Sequence, residues 1–354
     1  MIIERSNGMK ELFQNQMICN HNSWHEIGSE FWDVQTVEKQ NYVLPESTQW
    51  FLSGRSALQA IIREMKDYHT VAMPSWCCDS MVKPFVDAGL EVRFYPVYFD
   101  GSFVQEISWD SDVLFLMDYF GYSALISDVS SYKGVVIRDM THSLFSSTYT
   151  DANYYFGSLR KWCGVWTGGY AWVKDGHKLT MENTSDYGYV EYRKQAMQRK
   201  SEYISGLRAD KKYLKIFDEA EEALDRVGIA PADSRDVDLA KKLNVEEIRA
   251  RRRLNAGVLR SAFPDWLIFP DMSDSDCPMF VPVLVPDGRR DELRRFLINN
   301  EIYCPIHWPV SKYHKLDERA ETIYKNTLSL VCDQRYTEED MYRMVETIKA
   351  FMEV

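Results

Sequence analysis

Short apolar runs alternate with amphipathic stretches from about residue 53 onwards. The runs predict strands, and they are TVAMP (70–74), EVRFYPV (91–97), DVLFLMD (112–118), GVVIRD (134–139), NYYFGSLRK (153–161) and GGYAWVK (168–174). Between them, SGRSALQAIIREMK (53–66) has its apolar side chains on one helical face, and CDSMVKPFVDAG (78–89) predicts a helix that ends at Gly89. Continuous apolar strands that alternate with helices predict an α/β fold with a mostly parallel sheet covered by helices on both faces.

The pattern changes after residue 186. Residues 187–236 predict long helical segments, although APADSRD (230–236) predicts a loop. The elements predicted beyond them are a long helix at 244–263, a strand at 279–286, a helix at 290–300, a strand at 326–332 and a last helix that Thr337 and Asp340 cap. We therefore expect an amino-terminal arm (1–50), a large domain (51–186), a helical elbow (187–236) and a smaller carboxyl-terminal α/β domain (237–354).

The composition is ordinary for a globular protein, but the charge argues against one class of function. The chain has 354 residues and a formal net charge of −11, which is unfavourable for general binding to nucleic acid. Its seven cysteines form no Cys-x-x-Cys pair, so neither a disulfide framework nor a zinc site is indicated. No apolar run of about 18 residues is present, and the start, MIIERSNGMKELF, is charged where a signal peptide needs an apolar core. We therefore expect a soluble, cytoplasmic protein without a metal ion or a membrane partner.

Candidate chemistry lies where the predicted strands end, which is where α/β sheets bind ligands. Asp118, Asp139 and the segment 158–161 all occupy such positions. Lys161 lies between a strand and a glycine-rich bend, in SLRKWCGVWTGG (158–169). A lysine in apolar surroundings can become a nucleophilic amine that forms a Schiff base with a carbonyl compound. Alternatively, Lys161 is a loop cation whose stem covers Trp162.

Two further features point to the same ligand. Asp139 ends an apolar strand, and a buried acid there needs a partner that carries a positive charge or a proton, such as a pyridinium nitrogen. His142, three residues further on, can reach that ligand too. SGRSAL opens a helix, whose free N–H groups suit a phosphate, and the hydroxyl of Ser158 can join them. Each feature also has an ordinary interpretation, because Asp139 can cap the following loop and SGRSAL can be a common helix start. A phosphate turn, an acidic strand end and a lysine, in this order, are what pyridoxal phosphate requires.

Several stretches of the chain resemble motifs that are found together in one known family. These stretches are SGRSAL (53–58), MPSWCCDSMVKPFVDAGLEVRFY (73–95), RDMTHS (138–143), SLRKWCGVWTGG (158–169) and NTLSLVCDQRYTEEDM (326–341). Over most of its length the sequence therefore resembles fold-type I pyridoxal-phosphate enzymes, specifically the DegT/StrS family of sugar aminotransferases. The resemblance implies an aspartate aminotransferase-like fold, an amino donor and a nucleotide-linked keto-sugar as substrates, and a homodimer with sites at the subunit interface.

The chain departs from the family's motifs at three places. The family has Ser-Phe-His-x-x-Lys where this chain has Ser-Leu-Arg-Lys, so Ser158 is a looser match. The position whose aromatic ring stacks on the cofactor falls on Cys78, with Trp76 as the nearest aromatic substitute, and the sequence leaves open which of them covers the ring. The family's Gly-x-Asn-x-Arg segment, which contacts the cofactor of the neighbouring subunit, is not recognisable between residues 175 and 230.

The resemblance assigns a role to each candidate residue. Lys161 binds the cofactor and moves protons, Asp139 keeps the pyridine nitrogen protonated, and His142 adjusts the 3-oxygen side of the ring. The residues that hold the phosphate are Gly54, Arg55, Ser56 and Ser158. His307, in CPIHWP (304–309), either faces the substrate or is a structural histidine beside Trp308.

Two other functions remain open at this point. The family includes sugar dehydratases, in which a histidine takes the place of the lysine. A degenerate relative could instead act as a non-catalytic binding or regulatory subunit of a sugar pathway.

Overall fold

The computed structural model describes residues 25–39, 44–122, 128–147, 151–182, 185–314, 316 and 318–353, and a seven-stranded sheet lies at its centre. The strands of this sheet are β2 (Gln49–Phe51), β3 (Thr70–Pro74), β4 (Glu91–Tyr95), β7 (Val113–Met117), β8 (Val135–Asp139), β9 (Tyr154–Ser158) and β10 (Gly169–Val173). Their order across the sheet is β2-β10-β9-β8-β7-β3-β4. The strands from β9 to β4 are parallel, whereas β10 and β2 add to the edge as antiparallel strands. The predicted α/β fold with a mostly parallel sheet is therefore confirmed.

The first helix of this sheet begins where the sequence predicts it. In α1 (Gly54–Ile62), Ser53 is the N-cap and its hydroxyl accepts a hydrogen bond from the N–H of Ser56 at 3.1 Å. The apolar face predicted from the sequence is buried in the main core, and its members are Ala57, Leu58, Ile61, Ile62 and Met65. The helix α2 (Asp79–Asp87) follows β3 and is also packed against that core. Both helices therefore form because their apolar stripes have a sheet face to cover.

Two local predictions were incomplete or wrong. The predicted strand 91–97 is interrupted at Pro96, and its end forms a hairpin of β5 (Val97–Phe99) with β6 (Phe103–Gln105). The predicted loop APADSRD instead contains the start of α5 (Ser234–Ala240). Its N-cap, Asp233, accepts a hydrogen bond from the N–H of Arg235 at 2.9 Å. The carboxylate of Asp236 holds the helix in place because it accepts hydrogen bonds from the N–H and the hydroxyl of Thr167, both at 2.8 Å.

Two long helices, α3 (Tyr189–Ile204) and α4 (Tyr213–Leu224), form an antiparallel hairpin between the sheet and the carboxyl-terminal part. The predicted helical segments of this region are thereby confirmed. The hairpin is tied to the amino-terminal segment, because the buried amine of Lys200 lies 2.9 Å from the carboxylate of Glu26 and 2.6 Å from the carbonyl of Glu30. In the part of the chain that the structure describes, no helix has the length and apolarity needed to span a membrane.

The carboxyl-terminal part has a hydrophobic core of its own. Its elements are α6 (Val245–Ala262), β11 (Phe280–Leu284), α7 (Arg290–Asn299), β12 (Ile302–Tyr303), α8 (Glu318–Asn326), β13 (Thr327–Val331) and α9 (Glu338–Met352). The predicted capping box of Thr337 and Asp340 opens α9. The short strand β1 (Ile27–Gly28) pairs with β12, so the amino-terminal segment joins this core. The rest of the predicted arm, residues 1–24 and 40–43, lies outside the described residues.

Candidate active site

Asp139 is the last residue of β8, and its side chain is buried with one oxygen unpaired. Its Oδ1 accepts a hydrogen bond from the N–H of Thr141 at 2.8 Å. Its Oδ2 has no hydrogen-bond partner among the described residues. Burial raises the pKa of Asp139 to about 7, because the stabilising hydrogen bonds from Thr141 do not offset the loss of water and the charge of Asp118 adds to the rise. Among the described residues, Oδ2 of this carboxyl group therefore has neither a cation nor a hydrogen-bond donor beside it.

Asp118, which follows the neighbouring strand β7, is in the opposite situation. Its carboxylate oxygens accept hydrogen bonds from the guanidinium of the fully buried Arg138, at 3.0 Å from Nε and 2.9 Å from Nη2. The hydroxyl of Ser143 also donates a hydrogen bond to this carboxylate. Asp118 is therefore part of a buried structural ion pair, although the sequence places it at a strand end just like Asp139.

Six aromatic and imidazole rings lie beside these strand ends, and we call them the aromatic wall. Its members are Trp76, Tyr119, Phe120, His142, His307 and Trp308. His142 is stacked on Trp308 with ring centroids 5.5 Å apart, and its Nδ1 is buried without a hydrogen-bond partner. Burial lowers the pKa of His142 to about 3, and the positive charge of Lys161 contributes to the decrease. His142 is therefore a neutral ring at physiological pH.

His307 enters the aromatic wall from the loop after β12. Its Nδ1 lies 2.8 Å from the hydroxyl of Ser329, and its ring meets that of Trp308 edge-on at 5.3 Å. The pKa of His307 is well below its ordinary value because of burial and of the charges of His142 and Lys161. Both interpretations of His307 drawn from the sequence agree with this position, since it packs beside Trp308 and also lies next to the candidate site.

Trp76 and Cys78, the two candidates for covering the cofactor ring, have different surroundings. Trp76 is fully buried, stacks on Tyr119 at 5.1 Å and has an indole N–H without a hydrogen-bond partner. Cys78 is half-buried at the N-cap of α2, where its sulfur accepts a hydrogen bond from the hydroxyl of Ser80 at 3.2 Å. Trp76 therefore belongs to the aromatic wall, whereas Cys78 is engaged in the start of a helix.

The start of α1 lies directly against the end of β9. A Cβ atom added to Gly54 would be 3.2 Å from the Cβ of Ser158, so only a glycine fits there without displacement. The hydroxyl of Ser158 is buried and has no hydrogen-bond partner among the described residues. The hydroxyl of Ser56, in contrast, already donates a hydrogen bond to the carbonyl of Gly228 at 2.8 Å. The turn therefore offers one unused hydroxyl, that of Ser158, next to the first N–H groups of a helix.

Lys161 ends a one-turn 3-10 helix, Leu159–Lys161, immediately after β9. Of the two interpretations drawn from the sequence, the structure shows a lysine at the surface of a loop, because Lys161 is exposed while Leu159 and Trp162 are buried. A single turn of helix cannot bury three consecutive side chains, and Leu159 takes the inward position. Its positive charge nevertheless contributes to the lowered pKa of both His142 and His307 in the aromatic wall.

Sequence reasoning named Arg55 but missed Arg160 and the carboxylate that both arginines contact. Arg160 Nη1 lies 2.9 Å from one carboxylate oxygen of Glu221, and Arg55 Nη2 lies 2.8 Å from the other. Arg55 also forms an ion pair with Asp225. The predicted phosphate ligand Arg55 is thus bound to a carboxylate of the helical hairpin. Arg160 can be found from the sequence because it comes directly before Lys161. No local motif identifies Glu221, because it lies on a helix that is distant in the sequence.

The whole-chain comparisons agree with this architecture. No protein-family model and no curated protein matches the sequence. Among solved structures, the chain is similar to PseC of Helicobacter pylori, an aminotransferase involved in the biosynthesis of pseudoaminic acid, with a TM-score of 0.60, 16% identity and 86% of each chain covered. It is also similar to the PLP form of the putative sugar aminotransferase Spr1654 of Streptococcus pneumoniae, with a TM-score of 0.58, 14% identity and 93% of each chain covered. For the sugar aminotransferase CalS13 of Micromonospora echinospora, the TM-score is 0.56 at 15% identity, with 86% of this chain and 87% of that chain covered. The resemblance drawn from the motifs is therefore confirmed at the level of the fold, which is that of fold-type I pyridoxal-phosphate enzymes.

Proposed function

We propose that the protein is a pyridoxal-phosphate-dependent aminotransferase that acts on a keto-sugar. The observation that carries this proposal is a set of buried polar atoms, at one edge of the sheet, that have no hydrogen-bond partner among the described residues. These atoms are Oδ2 of Asp139, Nδ1 of His142, the hydroxyl oxygen of Ser158, and the indole nitrogen of Trp76. Buried polar groups without partners are rare in folded proteins, and a cluster of them indicates that a ligand completes the site.

The residues present fit pyridoxal phosphate. The carboxyl group of Asp139, with its raised pKa and its unpaired oxygen, is suited to a pyridine nitrogen that carries a proton. The neutral imidazole of His142 and the indole of Trp76 suit a flat aromatic ring, because both belong to the aromatic wall. The start of α1 and the hydroxyl of Ser158 suit a phosphate. When bound, the cofactor would act as the electron sink of the reaction.

Each residue then has a defined task. Asp139 would hold a proton on the pyridine nitrogen, and in doing so would gain the partner that it lacks. Lys161 would hold the cofactor at its aldehyde through Nζ and, when this amine is free, would accept and return a proton during the reaction. His142 would lie next to the 3-oxygen of the ring, and the aromatic wall would exclude water from the face that it covers.

The resemblance and the fold neighbours support a more detailed proposal for the substrate. The neighbours include sugar aminotransferases, and the family resemblance points to a nucleotide-linked keto-sugar. We place the reaction in the biosynthesis of sugars for cell-surface polysaccharides or secondary metabolites, in the cytoplasm. We further propose that the protein works as a homodimer and that it is divided at residues 50, 186 and 236, as the sequence predicts.

The proposal can be tested by titrating the purified protein with pyridoxal phosphate and recording the visible absorbance of the bound cofactor. The variant Lys161→Ala should lose this absorbance band and should lose transamination by a factor of roughly 10² to 10⁴ or more, which is the usual contribution of a positioned proton-transfer group. Because free pyridoxal phosphate also reacts with surface lysines, the control is Lys215→Ala, whose side chain is 84% exposed on α4. This control should behave like the unmodified protein. An unchanged band in Lys161→Ala would refute the assignment of the lysine.

A further inference from the structure

The two arginines beside Lys161 form a site for an anion. Arg55 belongs to the first turn of α1, and Arg160 belongs to the short helix after β9. Their guanidinium groups approach the two oxygens of one carboxylate, that of Glu221, at 2.8 and 2.9 Å. Two guanidinium groups around a single carboxylate are an arrangement that equally binds a phosphate, because both anions accept such charge-assisted hydrogen bonds.

A second and independent observation shows that this site is not complete. Only 9% of the side chain of Arg160 is exposed, and its Nε has no hydrogen-bond partner among the described residues. The hydroxyl of Ser158 is also buried without a partner. These donors come from residues that precede Lys161 by one and three positions. Glu221 thus satisfies only part of the hydrogen-bonding capacity of this place.

Glu221 is, like the nearby Glu30, a partly exposed acid whose arginine partner is buried. Glu30 is held by Arg193, whose side chain is buried, with its Nη1 at 3.0 Å from the carboxylate. Glu221 lies on the surface of α4, and 48% of its side chain is exposed. Burial raises the pKa of Glu221, but the charges of Arg160, Lys161 and Arg55 outweigh it and hold the pKa at about 2. The carboxylate is therefore ionised at neutral pH, and when it rotates into solvent the buried guanidinium of Arg160 needs another anion in its place.

We propose that Arg160 and Arg55 bind the phosphate of the ligand, and that Glu221 is an internal anion which occupies part of this site until the phosphate displaces it. This inference rests on the proposed function for the identity of the phosphate carrier, but the binding site itself can be tested with inorganic phosphate. Glu221 lies on the helical hairpin, in the part of the chain where the family's Gly-x-Asn-x-Arg segment is not recognisable. The hairpin would then contribute a side chain to the phosphate site of its own chain. The affinity for the phosphate would be set by competition with Glu221.

The experiment measures the binding of inorganic phosphate to the cofactor-free protein by isothermal titration calorimetry. The variant Glu221→Gln removes the carboxylate charge that both arginines share, while Arg55 keeps its ion pair with Asp225. It should bind phosphate about tenfold more tightly, which corresponds to one charge-assisted hydrogen bond. The matched control is Glu219→Gln, which removes the same charge from the same helix at a residue that pairs with Lys215. This control should change the affinity by less than about twofold. The variant Arg160→Gln should weaken phosphate binding about tenfold.

The outcomes separate this inference from the proposed function. Equal or weaker phosphate binding by a folded Glu221→Gln protein, or no measurable binding by either protein, would overturn the inference. An equal gain in Glu219→Gln would also overturn it, because the effect would then be one of net charge. If phosphate binds as expected but pyridoxal phosphate gives no visible absorbance band, the anion site stands and the proposed function fails. If the absorbance band forms and Glu221→Gln leaves the phosphate affinity unchanged, the proposed function stands and the displacement of Glu221 is wrong.

Discussion

Asp118 and Asp139 end two neighbouring parallel strands, and their surroundings are opposite. The carboxylate of Asp118 is held by the guanidinium of Arg138 and the hydroxyl of Ser143. The carboxyl of Asp139, although equally buried, keeps one oxygen without a partner. An ion pair inside a protein is costly to break, because the remaining charge has no water around it. An unpaired buried carboxyl is costly to keep ionised, and it titrates at a higher pH instead.

The comparison shows how a structural acid can be distinguished from a candidate functional acid. Burial alone does not separate them, and neither does the position at a strand end. The difference lies in whether the protein itself supplies the counter-charge. Where it does, as at Asp118, the group stabilises the fold; where it does not, as at Asp139, a ligand is expected to supply it.

The largest expected effect is on stability, and it concerns the paired acid. The variant Arg138→Met would leave Asp118 buried without its counter-charge, so we expect the free energy of unfolding to fall by about 3–5 kcal/mol. Urea denaturation of the cofactor-free protein at pH 7 measures this change. Removing both charges, in Asp118→Asn with Arg138→Met, should recover part of the loss. A loss of similar size in Asp139→Asn would contradict the distinction, because Asp139 has no cationic partner to lose.

The second expected effect concerns the unpaired acid and depends on pH. Because the pKa of Asp139 in the folded protein, about 7, lies above its ordinary value of 3.8, the group contributes stability that is fully present below about pH 4. This stability is lost as the pH rises through about 7, since the unfolded chain releases the proton earlier. The two pKa values differ by about three, so the contribution of Asp139 to the free energy of unfolding is at most about 4 kcal/mol. The stability that His142 contributes depends on pH in the opposite direction. Its pKa is lowered to about 3, so this stability is present above the ordinary pKa of histidine and is lost as the pH falls.

The comparison of Asp139→Asn with the unmodified protein isolates the contribution of Asp139 from that of His142. Denaturation at pH 4, 5, 6, 7 and 8 should show that the stability of the variant rises relative to the unmodified protein as the pH increases over this window. A difference that stays constant with pH would show that Asp139 is ionised throughout and has a partner in solution.

The smallest expected effect concerns the hydroxyl that assists the paired acid. The variant Ser143→Ala removes a hydrogen bond to the ionised carboxylate of Asp118, and we expect a loss of about 1.5–3 kcal/mol in the free energy of unfolding. The same substitution made in an Asp118→Asn background should cost less, because the acceptor there is neutral. Equal costs in both backgrounds would mean that the hydroxyl does not stabilise the charge of Asp118.

The central part of the fold could be predicted from the sequence. The apolar runs predicted β3, β7, β8 and β9, because strands buried on both faces leave an unbroken apolar signal. Chain ends and short elements could not be predicted in this way. The pairing of β1 with β12 joins segments far apart in the sequence, and α5 begins within a stretch whose composition is typical of a loop.

The candidate site was predictable only as a set of residue types at strand ends. The buried, unpartnered state of Asp139 and Ser158 agrees with the roles expected of them, although those roles remain proposals. The sequence could not tell that Asp118 is paired, since its partner Arg138 lies on the neighbouring strand and 20 residues further along the chain. Nor could it tell that Glu221 lies on Arg55 and Arg160, because that contact depends on how the helical hairpin packs.

The loop that carries Lys161 is closed at its base by backbone hydrogen bonds. The N–H of Leu159 donates to the carbonyl of Gly168 at 2.8 Å, and the N–H of Gly168 donates to the carbonyl of Leu52 at 3.2 Å. Insertions, deletions and substitutions within a loop that is closed in this way can be accommodated without shifting the strands on either side. Ser158, the last residue of β9, lies outside this loop and opposite Gly169 of β10. A change in the length of the loop would therefore move the amine of Lys161 relative to a hydroxyl that the sheet holds in place.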